Sequence, residues 1–587
     1  MRKLTGLILV AVFCSFALGA PQGGRLPLSE YSDIMQWQVL SPTGQVPEKE
    51  YLAVFAQPPT PEQIAELASA GIEVVGLYGS LGLVRGSITS FAAFAPESEA
   101  FPWVSALLPS VPNLTSTTKI SNFYSIEPSW MLKALGVASL REEGFTGKGV
   151  KVGVLDGGFT GELREKLTSG HVHYLRVEVD EEGRGQLVEG YEQGVHGEAC
   201  AEAIATIAPE ADFYLISVPG PMEKLYAYDL IGRGIIKIDV VSDSTYFPIP
   251  LDHMDGKGEL AKKAAEVAAH VPYFFAVGNM ASCSSTDRGM FRATYSDQDT
   301  VTGHDFDPQA SSDVDRNTLA IEVKPWDGPN PTLLVVLEWD GWPWQVKKDV
   351  NGPWTREDVI RIQDVDLVVY YRSPTGHITR IGLSDVNQFL FPGIPPLEYV
   401  ETEITAPGTY LIQVANVTDQ HPISGVFTRP VEFHLCVYLM KGGFDLEHCT
   451  SDGSLLNVAA AENVVSVGAV GWTGSTWCVM PFSGRGPTRD GRLKPELVAP
   501  NGYTSQVLGG PFGGTSAAAP VVAGVATLLY QADPTLSSKE LVDVLLRGAA
   551  TLCGKDECND SCLLNRQYNY LVGWGLVNAA ESYRLIR

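Results

Sequence analysis

The sequence predicts an α/β molecule: a mostly parallel sheet flanked by helices, preceded by a small α+β unit and interrupted by an all-β sandwich. Three observations carry this. Short apolar runs at 151–155 and 274–277 end in a polar residue beside glycine, the pattern of strands whose carboxyl ends face a ligand. Small-residue or apolar helical stretches stand at 197–205 and 521–530. From about 284 to 451 the pattern changes to short strands bounded by Gly, Pro and Asp. At 587 residues, 45% of them hydrophobic, the chain exceeds one ordinary core, and about three to four domains are expected.

Residues 1–20 read as a signal peptide. Arg2 and Lys3 give the positive start, residues 7–16 the apolar core, and Ala17-Leu18-Gly19 a small-residue exit. That core is short for a membrane span, which needs about 20 residues. Val12-Phe13-Cys14-Ser15 does not have the context of a lipid-anchored cysteine. The expectation is a secreted, extracellular protein that does not span a membrane.

Residues 21–127 read as a separate unit. A strand at 51–56 is followed by a helix at 61–70, with Thr60 as N-cap, Pro61 at its first position and Gly71 at its end. Strands at 72–76 and 81–84 complete a βαββ pattern.

Residues 128–283 carry three candidate site positions. Asp156 closes the run Lys151-Val152-Gly153-Val154-Leu155 and precedes two glycines; alone, it reads equally as a cap of the next turn. His196 is followed at once by Gly197 and opens a small-residue helix. Close helix–strand packing would bring its imidazole to the same sheet edge. Cys200, on that helix, reads as a buried small residue. His171 and His173 flank one valine, and no further ligands follow at metal-site spacing. Asn279 ends the run Phe274-Phe275-Ala276-Val277-Gly278. Its amide suits an oxyanion donor, though an isolated Gly-Asn reads first as a turn.

The insert, 284–451, shows β-type runs at 319–323, 333–339, 366–371, 410–414 and 431–438, which suggest a sandwich or jelly roll. Trp326, Trp339, Trp342, Trp344 and Trp354 are read as core and rim packing before any polymer-binding surface. The insert is expected to fold separately and to be removable without loss of site geometry.

Residues 452–587 carry Gly513-Gly514-Thr515-Ser516-Ala517-Ala518-Ala519-Pro520, a serine between a glycine turn and an apolar helix. A serine hydroxyl is a poor nucleophile unless a base is held beside it. Cys553, Cys558 and Cys562 cluster beside Asp556, Glu557 and Asp560. A disulfide loop is the preferred reading, because the spacing fits no standard zinc pattern.

The order Asp156, His196, Asn279, Ser516 resembles that of the subtilisin-like serine peptidases, or subtilases. The serine block matches Gly-Thr-Ser-x-Ala-x-Pro. Ser483-Gly484-Arg485-Gly486-Pro487 and Leu493-Lys494-Pro495-Glu496-Leu497-Val498-Ala499-Pro500 resemble the segment before the family's nucleophile, and Gly573-Trp574-Gly575 its last turn. Residues 130–149 resemble its lead-in to the first catalytic strand. Leu337-Glu338-Trp339-Asp340 and the run 366–371 resemble the bacterial pre-peptidase C-terminal domain.

The resemblance implies a serine endopeptidase with Asp156, His196 and Ser516 as triad and Asn279 as oxyanion donor. It implies protein or peptide substrates bound by Ser244, Thr245, Tyr246 and Gly278. The 21–127 unit is similar to inhibitory propeptides. No cofactor is required; structural calcium occurs in many members, but no loop here marks a site.

Three positions depart from the family pattern: Gly157 after the aspartate, Glu198 two after the histidine, and Tyr246 where glycine is usual. Tyr246 is expected to narrow a specificity pocket. Two rival readings accompany the resemblance. One is a sedolisin-like acid peptidase, suggested by Glu198 and Glu202. The other is a non-enzymatic scaffold with a surface-binding β domain. The net charge of −26 argues against nucleic acid as partner, since phosphate binding needs clustered Lys and Arg.

Overall fold

The computed structural model describes residues 48–109, 125–552 and 568–587, without 56–57, 79–80, 88–100, 102–103, 168–170, 180–184, 249–252, 285, 299–302, 350–354, 356–357, 359–360, 386–387, 389–394 and 419–429. The leader and Cys553, Cys558 and Cys562 lie outside the described residues.

The first sheet has four strands in the order Ile72–Tyr78, Leu81–Ser87, Glu48–Phe55, Val104–Pro109. Its helix, Pro61–Ser69, starts at a capping box: Thr60 and Gln63 satisfy each other's backbone N–H groups. The fourth strand extends the expected βαββ pattern. It pairs antiparallel with Glu48–Phe55 from more than forty residues away, a pairing that local pattern does not encode.

The central sheet has nine strands. Eight run in the order Trp477–Val479, Val465–Trp472, Tyr273–Ala276, Val240–Asp243, Lys151–Asp156, Asp212–Ser217, Val172–Val179, Gly185–Glu189; Leu497–Pro500 also pairs with Val465–Trp472. The inner pairs are parallel. Buried on both faces, these strands read as continuous apolar runs. Phe274 and Ala276 point into the core that holds the helix Thr515–Ala532, while Tyr273 and Phe275 point into the core under Pro221–Gly232 and Glu259–Ala268. The helix Thr515–Ala532 is long and apolar enough to cross a membrane, but it is largely buried here, as a core helix is.

Two further sheets arise between residues 288 and 446. One has the order Arg288–Thr294, Glu432–Met440, Thr332–Trp339, Leu397–Glu403; the other Ile378–Ser384, Val365–Arg372, Gly408–Asn416, Leu319–Val323, Phe444–Leu446. Leu333, Val335, Leu337, Leu435 and Val437 from the first share a core with Leu367, Val369 and Ile412 from the second. Trp339 is fully buried in that core and donates its Nε1–H to the Gln363 carbonyl at 3.1 Å. Trp342 is buried too, and Trp326 packs at the core's edge, so these three indoles serve packing.

The alternate residues of the same strands face the other way. Leu334, Val336, Cys436 and Tyr438 join Tyr246, Met254, Met280 and Leu456 in a second cluster. The Glu338 carboxylate holds His253 Nδ1 at 2.7 Å and His434 Nε2 at 3.1 Å, all three buried. This corrects the expectation of a removable insert. One face of its first sheet is packed onto the segments around Tyr246 and Asn279, so its removal would uncover that wall. A Cys283–Cys449 disulfide, with Cα atoms 5.4 Å apart, joins the two ends of this stretch.

Candidate active site

Each candidate residue sits where the sheet delivers it. Asp156 ends its strand and is fully buried; its Oδ1 accepts from the Gly157 amide at 2.8 Å. His196 lies in the first turn of the helix Val195–Ile207. Gly197 allows the approach: a Cβ there would stand 2.6 Å from the Asp156 Cβ and 2.5 Å from the Gly158 carbonyl oxygen. The imidazole Nδ1 meets Asp156 Oδ2 at 2.8 Å. Burial works against a charged imidazole, but the Asp156 carboxylate outweighs it and holds the His196 pKa well above its ordinary 6.5.

Ser516 begins the core helix Thr515–Ala532 and remains 8% exposed. Its carbonyl accepts from Ser244 Oγ at 3.3 Å. Asn279 Oδ1 accepts from both the Thr515 amide and Thr515 Oγ1, each at 2.9 Å. That fixes the amide plane and leaves Nδ2 as the outward donor. Gly514 borders it with φ +99°, and a Cβ there would come within 3.1 Å of Nδ2, so glycine is required on both counts.

One pocket is lined by His196, Ser516 and Asn279 together with Ser244, Thr245, Tyr246 and Gly278. All eight sequence-derived positions are thus accounted for: seven line the pocket, and Asp156 stands behind His196. Behind Thr245, buried Lys224 donates to Thr245 Oγ1 at 2.7 Å and pairs with Asp243 at 2.9 Å. Burial lowers the Lys224 pKa. The sequence reading missed Arg288, which lines the same pocket. Its only sequence signal is a cation a few residues beyond Asn279.

Glu198 and Glu202 have other uses. Glu198 accepts from the Thr160 and Gly161 amides at 3.1 and 3.3 Å, from the Leu163 amide, and from the Tyr174 hydroxyl at 2.7 Å. It thereby caps the short helix Leu163–Lys166. Glu202 binds Ser505 and the Gln506 amide. Neither lines the pocket. Cys200 is buried, with Sγ 3.8 Å from Asp156 Oδ2; burial raises its thiol pKa, which suits an inert thiol.

A carboxylate-oriented imidazole, a serine at a helix start and an amide fixed by its neighbours thus meet in one pocket at the edge of the α/β sheet. Residues 449–575, the stretch that holds the Ser516 motif, match the profile of the Subtilase family. The chain is similar to serine protease AprX of Bacillus subtilis (strain 168), at 30% identity over 170 residues, 25% of this chain and 34% of that protein. It is also similar to subtilisin-like protease SBT6.1 of Arabidopsis thaliana, at 30% over 154 residues, 23% of this chain and 13% of that protein. It thus spans about a third or less of the length of these relatives. Among solved structures, the CspB protease of Clostridium perfringens superposes with a TM-score of 0.48 at 17% identity, over 78% of this chain and 98% of that one. Fervidolysin from Fervidobacterium pennivorans gives 0.42 at 15%, over 92% and 61%.

Proposed function

We propose that this chain is a serine endopeptidase. The observation that carries the reading is the 2.8 Å contact of His196 Nδ1 with Asp156 Oδ2, in a pocket shared by His196, Ser516 and Asn279. Ser516 Oγ attacks the scissile carbonyl. His196 takes its proton through Nε2 and returns it to the leaving amine, while Asp156 holds the ring's tautomer and stabilises its cation. The Asn279 amide and the Ser516 backbone N–H receive the oxyanion.

The wider organisation belongs to the same proposal. Residues 1–20 direct secretion, and 21–127 form an inhibitory propeptide whose strand Ile72–Tyr78 packs on the helix Pro221–Gly232. Residues 128–283 and 452–587 make the catalytic part around the 284–451 insert. Structural calcium remains compatible with this scheme, and the chemistry needs no cofactor. The substrates are proteins or peptides.

Replacement of Ser516 by alanine tests it. The variant should fold as the parent does, fail to react with a fluorophosphonate, and lose on the order of 10⁴–10⁶ in turnover of a fluorogenic peptide. It should also accumulate with residues 21–127 still attached. Turnover within tenfold of the parent would assign the nucleophile elsewhere.

A further inference from the structure

We propose that Arg288 and Tyr246 make the pocket beside Ser516 selective for an acidic side chain on the residue whose carbonyl is attacked. This rests on the peptidase reading and adds the substrate class to it.

Three observations converge. First, Arg288 and Tyr246 line the same pocket as Ser516, Asn279 and Gly278. A substrate residue seated with its carbonyl oxygen at Asn279 Nδ2 and its carbon at Ser516 Oγ would set its side chain against the lining of that pocket. Second, the guanidinium in this wall is only 4% exposed and is paired with Asp287. Asp287 steadies it through Oδ1 to Nε at 3.2 Å and Oδ2 to Nη2 at 3.0 Å. Asp287 therefore holds the Nε and Nη2 edge, while Nη1 donates to the Tyr246 hydroxyl oxygen. Third, a phenol that accepts from Arg288 has its own O–H left to donate. Burial pushes the Tyr246 pKa up to about 12, so that proton is retained at any working pH. The stacked ring of Tyr438 holds the Tyr246 ring from behind, with centroids 6.2 Å apart.

The wall thus offers a hydroxyl donor polarised by a buried cation. A carboxylate satisfies both, since hydrogen bonds to charged partners are about twice as strong as neutral ones. A lysine or arginine side chain would bring a second cation beside the guanidinium and find no free acceptor, since the phenol oxygen already accepts from Arg288. An alkyl side chain would fill space but leave the phenol O–H without an acceptor.

The test uses the full chain and a peptide series of constant sequence in which the residue before the scissile bond is Glu, Asp, Gln, Leu or Lys. The parent should cleave after Glu or Asp with kcat/KM about 10–100-fold above Leu, and after Lys least of all. Arg288→Gln should bring the acidic-to-Leu ratio close to one, and Arg288→Lys should restore most of it. Tyr246→Phe, which keeps the ring, should reduce the ratio on its own. A parent that prefers Leu or Lys overturns the proposal. So does an Arg288→Gln variant that slows all five peptides equally, which would mark a structural role. Fluorophosphonate labelling separates the two levels. A labelled protein with a non-acidic preference sinks only the specificity. A protein that neither labels nor cleaves sinks the peptidase reading and this proposal with it.

Discussion

His196 carries the clearest residue-scale consequence. Its carboxylate partner favours the cation, so the neutral form that accepts a proton from Ser516 appears only as pH rises past a value above 6.5. The profile of kcat/KM against pH should therefore climb on the alkaline side of that value, and Asp156→Asn should both slow the reaction and shift the climb to lower pH. An optimum near pH 4 would instead support an acid-peptidase mechanism. Glu198 and Glu202 invited that alternative in the sequence, because a carboxylate on the helix of His196 looks available. Their hydrogen bonds to the segments at 160–163 and 505–507 show why pattern alone misled: which face of a helix meets which loop is a tertiary property. The residues of the site itself were legible for the opposite reason. Asp156 ends a strand, Asn279 follows one by three residues, and His196 and Ser516 begin helices, and those boundaries are written locally in apolar runs and glycines. Arg288 was not legible, because its partner Tyr246 lies 42 residues back in the chain and only the β insert's packing brings them together.

Among the elements, the two ends of the insert are the most constrained. The Cys283–Cys449 bond closes a loop with a sequence separation of 166. A cross-link of that span restrains the unfolded chain by about 5 kcal/mol in the chain-entropy account. It also sits four residues from Asn279 and five from Arg288. The double variant Cys283→Ser, Cys449→Ser should lower the melting temperature, as followed by calorimetry. It should also weaken the preference set by Arg288 more than it weakens labelling of Ser516. Equal melting of variant and parent would mean that packing alone holds the ends. The sandwich strands were legible from their β-rich composition, but the pairing of their ends was not: eight cysteines outside the leader allow many connectivities.

For the molecule as a whole, acid acts on the sandwich in two senses: burial raises the pKa of Asp366, Asp385 and Glu398, which gain from protonation, whereas His304 loses. His304 is packed among Phe291, Phe306 and Phe433, and burial holds its pKa down at about 4 against the nearby Asp305 charge. His253 is likewise lowered to about 4 by burial. A base whose folded pKa is depressed gives stability that is complete above its unfolded value of about 6.5 and is lost as pH falls toward 4. Burial raises the pKa of Glu338, the partner of His253, and this works in the opposite sense, so His304 is the cleaner reporter. Over that window the parent should lose at most about 3 kcal/mol through His304, and His304→Gln should flatten the decline in melting temperature. An unchanged slope would assign the acid sensitivity to other groups.

The strand Thr332–Trp339 has no spare side. Its odd residues fill the sandwich, and its even residues pack behind Tyr246 and present Glu338 to His253. Side chains alternate with a period of two, so a slip of one residue would exchange both sets at once. It would drive a carboxylate into the sandwich and withdraw Leu334 and Val336 from behind Tyr246. A gain or loss of one codon in this strand therefore cannot be absorbed by either neighbour. The spacing of residues along it is under double constraint, and genetic drift at the insert's surface loops should stop where this strand begins.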